Sequence, residues 1–186
     1  VAIPERASQP RPKLLDPASE VGFLGDVSIP SELYFVSRDP VVIAGMGFPA
    51  RVDWQLLAEA GVGHMVCLTH HDAAPYNAAP IRVTAIGLED LWTATAPTDP
   101  VTERRRVGEA ADAVVRSVHS GEGVAVHCRG GRGRAGTVIG VALVRLGHEP
   151  EHIIAYLHTL HVRRGKLGWP ESPWQAEMIS DLGALP

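Results

Sequence analysis

The chain opens without rhythm and then settles into one. Across residues 1–30, Pro4, Pro10, Pro12, Pro17 and Pro30 interrupt a mainly polar stretch, and no apolar repeat lasts. Such a segment reads as an extended arm or a disordered tail ahead of a domain spanning 31–186. Leu33–Val36 and Val41–Ala44 are short apolar runs on either side of Arg38-Asp39-Pro40, the pattern of two strands joined by a turn. Asp53 stands where it caps a short helix to Ala60, with Gly61 beyond it. His64–Leu68 and Ile81–Ile86 predict two more strands, followed by loops over 69–80 and 87–100.

Asp99-Pro100 opens a long helix to about His119. Its apolar positions Val107, Ala110, Ala111, Val114, Val115 and Val118 recur at helical spacing. Gly121-Glu122-Gly123 turns into the strand Val124–Val126, and Ala135–Leu146 is so apolar that it predicts a buried, central helix. Pro150 opens a further helix to about Val162, and a last one runs near Pro173–Leu182. Strands alternating with helices predict a single α/β domain, its central, mostly parallel twisted sheet flanked by helices.

Composition narrows the choice of function. A chain of 186 residues, 45% of them hydrophobic, suits one domain with a sizeable core. A net charge of −4 argues against a nucleic-acid partner, so any affinity for anions has to be local. No apolar run approaches the roughly 18 to 20 residues of a membrane span. The start shows no basic region followed by an apolar stretch, so no secretory signal is expected. Cys67 and Cys128 are too few for a disulfide framework and point to a reducing, cytoplasmic setting.

The chemistry concentrates at residues 124–137. A strand ends at Val126, Cys128 follows, and Arg129, Gly130, Gly131, Arg132, Gly133 and Arg134 lead into the buried helix. Ligands of parallel sheets gather just past the carboxyl ends of the strands. Backbone N–H groups of a tight glycine-rich turn, joined to a helix N-terminus, make an anion cradle. The same positive field favours the thiolate, the nucleophilic form of a cysteine. One turn of loop brings Arg134 back over the cradle, where its fork can hold two phosphate oxygens. Nucleophile, cradle and clamp are the parts that phosphoryl transfer to cysteine needs.

Other readings fit less well. Gly131-Arg-Gly133-Arg-Ala-Gly136 matches a dinucleotide fingerprint, but that fold needs a second parallel strand ending in Asp or Glu, and the element from Pro150 reads as helix. A nucleoside-triphosphate loop needs Lys before Ser or Thr, whereas Ala135 and Gly136 precede Thr137. An inert buried cysteine in a plain turn leaves the arginine at the closing position unexplained. Sulfur-transfer domains also place cysteine in an arginine-rich anion loop, one residue shorter than this one.

His127-Cys128-x5-Arg134 followed by Ala135-Gly136-Thr137 resembles the signature of the protein tyrosine phosphatase superfamily, and its dual-specificity branch above all. Val42-Ile-Ala-Gly45 with Pro49, Leu57-x3-Gly61-Val62 and His64–Thr69 look like the N-terminal half of small atypical dual-specificity phosphatases, and Trp174-Gln175 resembles their C-terminal helix. The likeness covers about residues 33–182. It implies a dual-specificity-phosphatase-like fold and in-line attack by Cys128 on phosphorus. It also implies that the amides of residues 129–134 and the Arg134 guanidinium hold the equatorial oxygens, and that His127 tunes the loop. An aspartic acid protonates the leaving oxygen, and water hydrolyses a cysteinyl-phosphate. No metal and no other cofactor is implied.

Ile86-Gly-Leu-Glu-Asp90 resembles the family stretch in which the acid ends a strand and begins a mobile loop, which makes Asp90 the implied acid. Asp99 lies nearer the usual spacing to the cysteine, but it also stands as N-cap before Pro100. One position departs from the pattern. The family usually has Ser or Thr directly after the arginine, and its hydroxyl aids departure of the cysteine from phosphorus; here the residue is Ala135. A hydrogen bond to a charged group is worth roughly 1.5–3 kcal/mol, or about one to two decades in rate. Slow turnover with accumulating phospho-cysteine is therefore expected.

The implied substrate is a phosphorylated protein, carrying phosphotyrosine and also phosphoserine or phosphothreonine. Arg129 and Arg132 keep a phosphoinositide or inositol phosphate open as the alternative, because extra rim cations suit multiply phosphorylated molecules. Either arginine loses that role if it turns away to a carboxylate. A phosphate-binding pseudophosphatase without turnover is the reading from another class, favoured by Ala135. His70-His71-Asp72 falls on the active-site edge of the sheet, so His70 and His71 are candidate substrate contacts, with a plain solvated loop as the alternative. Adjacent histidines in such a loop diverge, which makes a poor metal site. His158 and His161 are expected at the surface or an interface. Cys67 is expected to be a packing residue, although some relatives shield the nucleophile by a disulfide to a neighbouring strand.

Overall fold

The structure, a computed structural model, describes residues 11–17 and 33–183. Its strands are β1 (Lys13–Leu14), β2 (Tyr34–Asp39), β3 (Ile43–Met46), β4 (His64–Cys67), β5 (Arg82–Ala85) and β6 (Val124–His127). Its helices are α1 (Trp54–Glu59), α2 (Pro100–His119), α3 (Gly133–Arg145), α4 (Pro150–Arg163) and α5 (Pro173–Gly183). The strands form one sheet in the order β1-β2-β3-β6-β4-β5. β3, β6, β4 and β5 are parallel to one another, while β2 and β1 add antiparallel at one edge. The sheet is therefore mixed, with the expected parallel core around β6.

Period-two alternation divides the core between the two faces of this sheet. Val124 and Val126 of β6 and Val66 of β4 join the larger cluster with α2–α5. Ala125 and Met65, one residue out of phase, join Leu57 of α1 on the other face. Every residue from Ala135 to Val144 is buried, because α3 packs against α2, α4 and α5 as well as the sheet. An all-round apolar helix has to be central, as its sequence predicts.

Part of the N-terminal arm lies on the domain. β1 pairs with β2, Leu15 N–H donates to Val36 O at 2.9 Å, and His148 Nε2 is 2.9 Å from Pro12 O. The remaining residues of the arm expected over 1–30 lie outside those described. Among the described residues no helix is long and apolar enough to cross a membrane.

With β6 flanked by the parallel strands β3 and β4, the residue after β6 stands in the middle of the carboxyl edge. That residue is Cys128.

Candidate active site

Between β6 and α3 the chain reverses through Cys128–Arg132, and its carbonyl groups find partners outside the turn. Arg129 O accepts from Phe48 N at 3.0 Å, Gly131 O from Arg164 Nη1 at 3.1 Å, and Arg132 O from Gly136 N at 2.7 Å. Gly133 O accepts from Trp169 Nε1 at 3.3 Å and from Thr137 Oγ1 at 2.9 Å. In a trans peptide the N–H points opposite to the C=O. Fixing these carbonyls outward therefore turns the N–H groups of Gly130, Arg132, Gly133 and Arg134 toward the loop interior, as an anion cradle requires. Helix α3 begins at Gly133, two residues earlier than its apolar pattern suggests, with Arg132 at the N-cap and no side-chain cap. A guanidinium has no acceptor to offer, so the first-turn amides of α3 receive no side-chain cap from Arg132.

Gly131 is required by its backbone. Its φ is +64°, and a Cβ there would lie 2.5 Å from the carbonyl carbon of Met46. Cys128 is buried, and both thiols are free. Cys67 is paired in register with His127 across β4 and β6, and its Sγ is 3.5 Å from Thr69 Oγ1.

Arg134 is held by three acceptors. Nη1 donates to Leu88 O at 3.1 Å and, at the limit, to Leu68 O at 3.5 Å, while Nη2 meets Asp90 Oδ2 at 2.7 Å. Leu68 and Leu88 follow β4 and β5, so the strand ends themselves aim the guanidinium. Asp90, Cys128, Arg129 and Arg134 line one cavity of about 550 Å³, together with Trp92, Lys166, Leu167 and Glu171. That volume is in the range of small-molecule sites. Asp99 is elsewhere. It is exposed and its Oδ1 accepts from Thr102 N at 3.1 Å; hydrogen bonding by the Thr102 side chain, and then by its backbone N–H, lowers the Asp99 pKa.

His127 is wholly buried, which lowers its pKa to about 4 and keeps the ring neutral near pH 7. The nearby positive charge of Arg134 acts the same way. Its Nε2 is 2.6 Å from Tyr76 Oη, and its Nδ1 faces the Cys128 peptide without a hydrogen bond of good geometry. Tyr76 is itself stacked on Trp54, and its hydroxyl pKa is raised by burial. Glu103, buried under the loop that carries Asp90, accepts from Glu89 N at 2.7 Å, and burial raises its pKa.

Several expectations from sequence need correction. Arg132 also lines the cavity, but its side chain is buried and held by a carboxylate, its Nε meeting Glu171 Oε1 at 2.8 Å. Arg129 is exposed and lines the cavity. His70 and His71 do not line the cavity; His70 Nδ1 is 2.8 Å from Thr69 Oγ1, and the His71 ring lies against Gly87. His161 is not a surface residue but fully buried, with Nδ1 2.8 Å from Arg164 Nη1. His158 is exposed, its Nδ1 3.0 Å from Trp169 O. Among the described residues no group of three or more His, Cys, Asp or Glu is placed to hold a metal. Tyr76, Glu171 and Arg164 escaped the sequence reading because each reaches the site from a distant segment with no local motif, and Trp92, two residues after Asp90, carries no motif of its own.

A family model described as "PTP-SAK: Swiss Army Knife protein, DSP-PTPase phosphatase domain" matches residues 34–166, more than half of the chain. The chain therefore belongs to this dual-specificity branch of the protein tyrosine phosphatase superfamily. Among solved structures it is similar to the active form of Tk-PTP, with 24% identity over 76% of this chain and 90% of that one and a TM-score of 0.53. It is also similar to human DUSP28, at 17% identity over 76% and 87% with a TM-score of 0.57. A third is PTPMT1 in complex with PI(5)P, at 15% identity over 76% and 89% with a TM-score of 0.54. These likenesses concern the fold. A search of curated proteins finds no match.

Proposed function

We propose that this protein is a cysteine-dependent phosphatase that hydrolyses phosphotyrosine, with phosphoserine and phosphothreonine as further esters, through a cysteinyl-phosphate. The observation that carries the reading is the convergence of Cys128, Arg134 and Asp90 on one cavity at the carboxyl edge of the parallel strands. In the first step the Cys128 thiolate forms a bond to phosphorus as the ester P–O bond breaks, and Asp90 delivers a proton to the leaving oxygen. In the second, water attacks phosphorus and returns a proton to Asp90, the S–P bond breaks, and Cys128 is regenerated as thiolate. Backbone N–H groups and the Arg134 fork hold the three equatorial oxygens throughout. Asp90 has support as the acid because it lines the cavity, while Asp99 caps α2.

The second step lacks one aid. Ala135 is buried without a hydroxyl, and the nearby Thr137 hydroxyl donates to Gly133 O instead. This supports slow dephosphorylation of the enzyme.

Phosphoinositides or inositol phosphates are the second reading. Arg129 and Lys166 at the cavity favour it, as does the fold shared with a protein solved in complex with PI(5)P. Engagement of Arg132 by Glu171 removes one of the cations on which that reading relies and supports phosphotyrosine. The test is phosphate release by wild type and Cys128→Ser on a phosphotyrosine peptide and an inositol-phosphate headgroup. Release by wild type alone, faster from the peptide, is expected. Faster release from the headgroup overturns the substrate reading. No release from either, with binding retained by Cys128→Ser, favours a phosphate-binding pseudophosphatase.

A further inference from the structure

Arg132 is a cation in the middle of the loop after β6 whose guanidinium is held by a carboxylate. Its Nε is 2.8 Å from Glu171, both side chains are about nine-tenths buried, and the guanidinium carbon lies 4.9 Å from the centroid of the Trp92 ring. Trp92 belongs to the loop that begins at Asp90, and its backbone N–H donates to Asp90 Oδ1 at 3.3 Å. That loop is pinned elsewhere as well. At its base Glu89 accepts from Thr98 N and Oγ1, each at 2.9 Å, and on its far side the Ser172 hydroxyl donates to Thr95 O. Between these anchors the segment carrying Asp90 meets the phosphate loop and the start of α3 by the ion pair of Asp90 with Arg134 and by the ring of Trp92 against Arg132.

The Asp90–Arg134 contact cannot serve during catalysis, because a bound phosphate takes the Arg134 fork. The contact of Trp92 with Arg132 is untouched by that exchange, since Arg132 is fixed by Glu171 and not by the anion. We infer that Trp92 is a positioning residue, which docks on the Glu171-fixed guanidinium of Arg132 and keeps the Asp90 carboxyl over the leaving oxygen after Arg134 has turned to phosphate. A flat guanidinium against an aromatic face is a favourable pairing, stronger where the cation is desolvated as here. The inference rests on Asp90 being the general acid. It also gives a reason for a tryptophan that is 60% exposed at the cavity wall.

Loss of alignment of a general acid shows in the leaving group. Phenyl phosphate, whose phenolate needs a proton, should suffer; 4-nitrophenyl phosphate, whose leaving group departs with little help, should not. Trp92 is largely solvent-exposed, so its replacement does not threaten the fold. Trp92→Ala is expected to lower kcat/KM, which reports the first step, on phenyl phosphate about tenfold and on 4-nitrophenyl phosphate less than about twofold. Trp92→Phe, which keeps a ring face, should recover most of the loss. Asp90→Asn in parallel should show the same discrimination at larger size, about a hundredfold or more on phenyl phosphate. If Asp90→Asn discriminates and Trp92→Ala lowers both substrates equally or neither, Trp92 has no positioning role and the inference fails alone. If Asp90→Asn does not discriminate, Asp90 is not the acid, and both readings fall together.

Discussion

Arg134 Nη2 stands 2.7 Å from Asp90 Oδ2, so the proposed phosphate clamp and the proposed acid bind each other. A phosphate dianion has to displace the carboxylate from the guanidinium. Asp90→Asn is therefore expected to have two effects of opposite sign. It should lower kcat/KM by about 10²- to 10⁴-fold through loss of the proton donor. It should also tighten inhibition by inorganic phosphate, because the competing negative charge is gone. Steady-state kinetics with phosphate as inhibitor measures both, and weaker phosphate binding by the variant would contradict the competition.

The hydroxyl that Ala135 lacks can be supplied. Ala135→Ser should speed breakdown of the phospho-enzyme by about one to two decades. Burst amplitude in rapid-quench experiments should fall and steady-state kcat rise, with little change in the burst rate. A variant no faster than wild type would show that departure of Cys128 does not limit turnover. Because Ala135 is fully buried, thermal stability should be measured alongside.

Tyr76 Oη and His127 Nε2, 2.6 Å apart, form a neutral pair at the residue before the proposed nucleophile. Tyr76→Phe leaves the buried imidazole nitrogen without its partner. A loss of about 1–3 kcal/mol in urea unfolding is expected, together with reduced kcat as the loop loses its support from His127. An unchanged unfolding midpoint would mean that the hydrogen bond contributes nothing net.

Buried histidines fix the sign of the acid response. Burial lowers the folded pKa values of His64, His127 and His161 to about 4, about 4 and about 3, below the ordinary histidine value of about 6.5. Above the unfolded value both states are neutral, and the stability they permit is fully present. As pH falls from about 6.5 toward the folded values, the unfolded chain binds more protons and stability declines. Burial raises Glu103, which acts in the opposite sense and offsets part of this near its own titration. Urea midpoints should therefore fall steadily between pH 6.5 and 4.5. His161→Leu should flatten the slope by up to about 1.4 kcal/mol per pH unit; an unaltered slope would show that His161 is not buried neutral.

Much of this site was legible in the sequence because its chemistry is local. Cys128, the glycines and Arg134 lie within one strand-loop-helix unit, and the apolar run of α3 marks that unit as central. Asp99 and Pro100 announced the start of α2, and the cap is there at 3.1 Å. What was not legible depends on long-range packing. The charge pattern of Arg132 reads like that of Arg129, and only the approach of Glu171, 39 residues on, separates the two. His161 read as polar and hence outward, yet it follows Leu157 by one helical turn on the buried face of α4. Tyr76 lies in a loop of alanines and prolines that carries no periodic signal, and it reaches His127 only because that loop folds back over the sheet.

The most direct test of the central claim is to quench turnover in acid and map the phosphoryl group by mass spectrometry of the proteolysed enzyme. The account predicts wild-type enzyme with phosphate on the peptide containing Cys128, at a level raised by slow hydrolysis, and no such adduct in Cys128→Ser. Phosphate release by wild type with no adduct on Cys128, or continued release by Cys128→Ser, would contradict it.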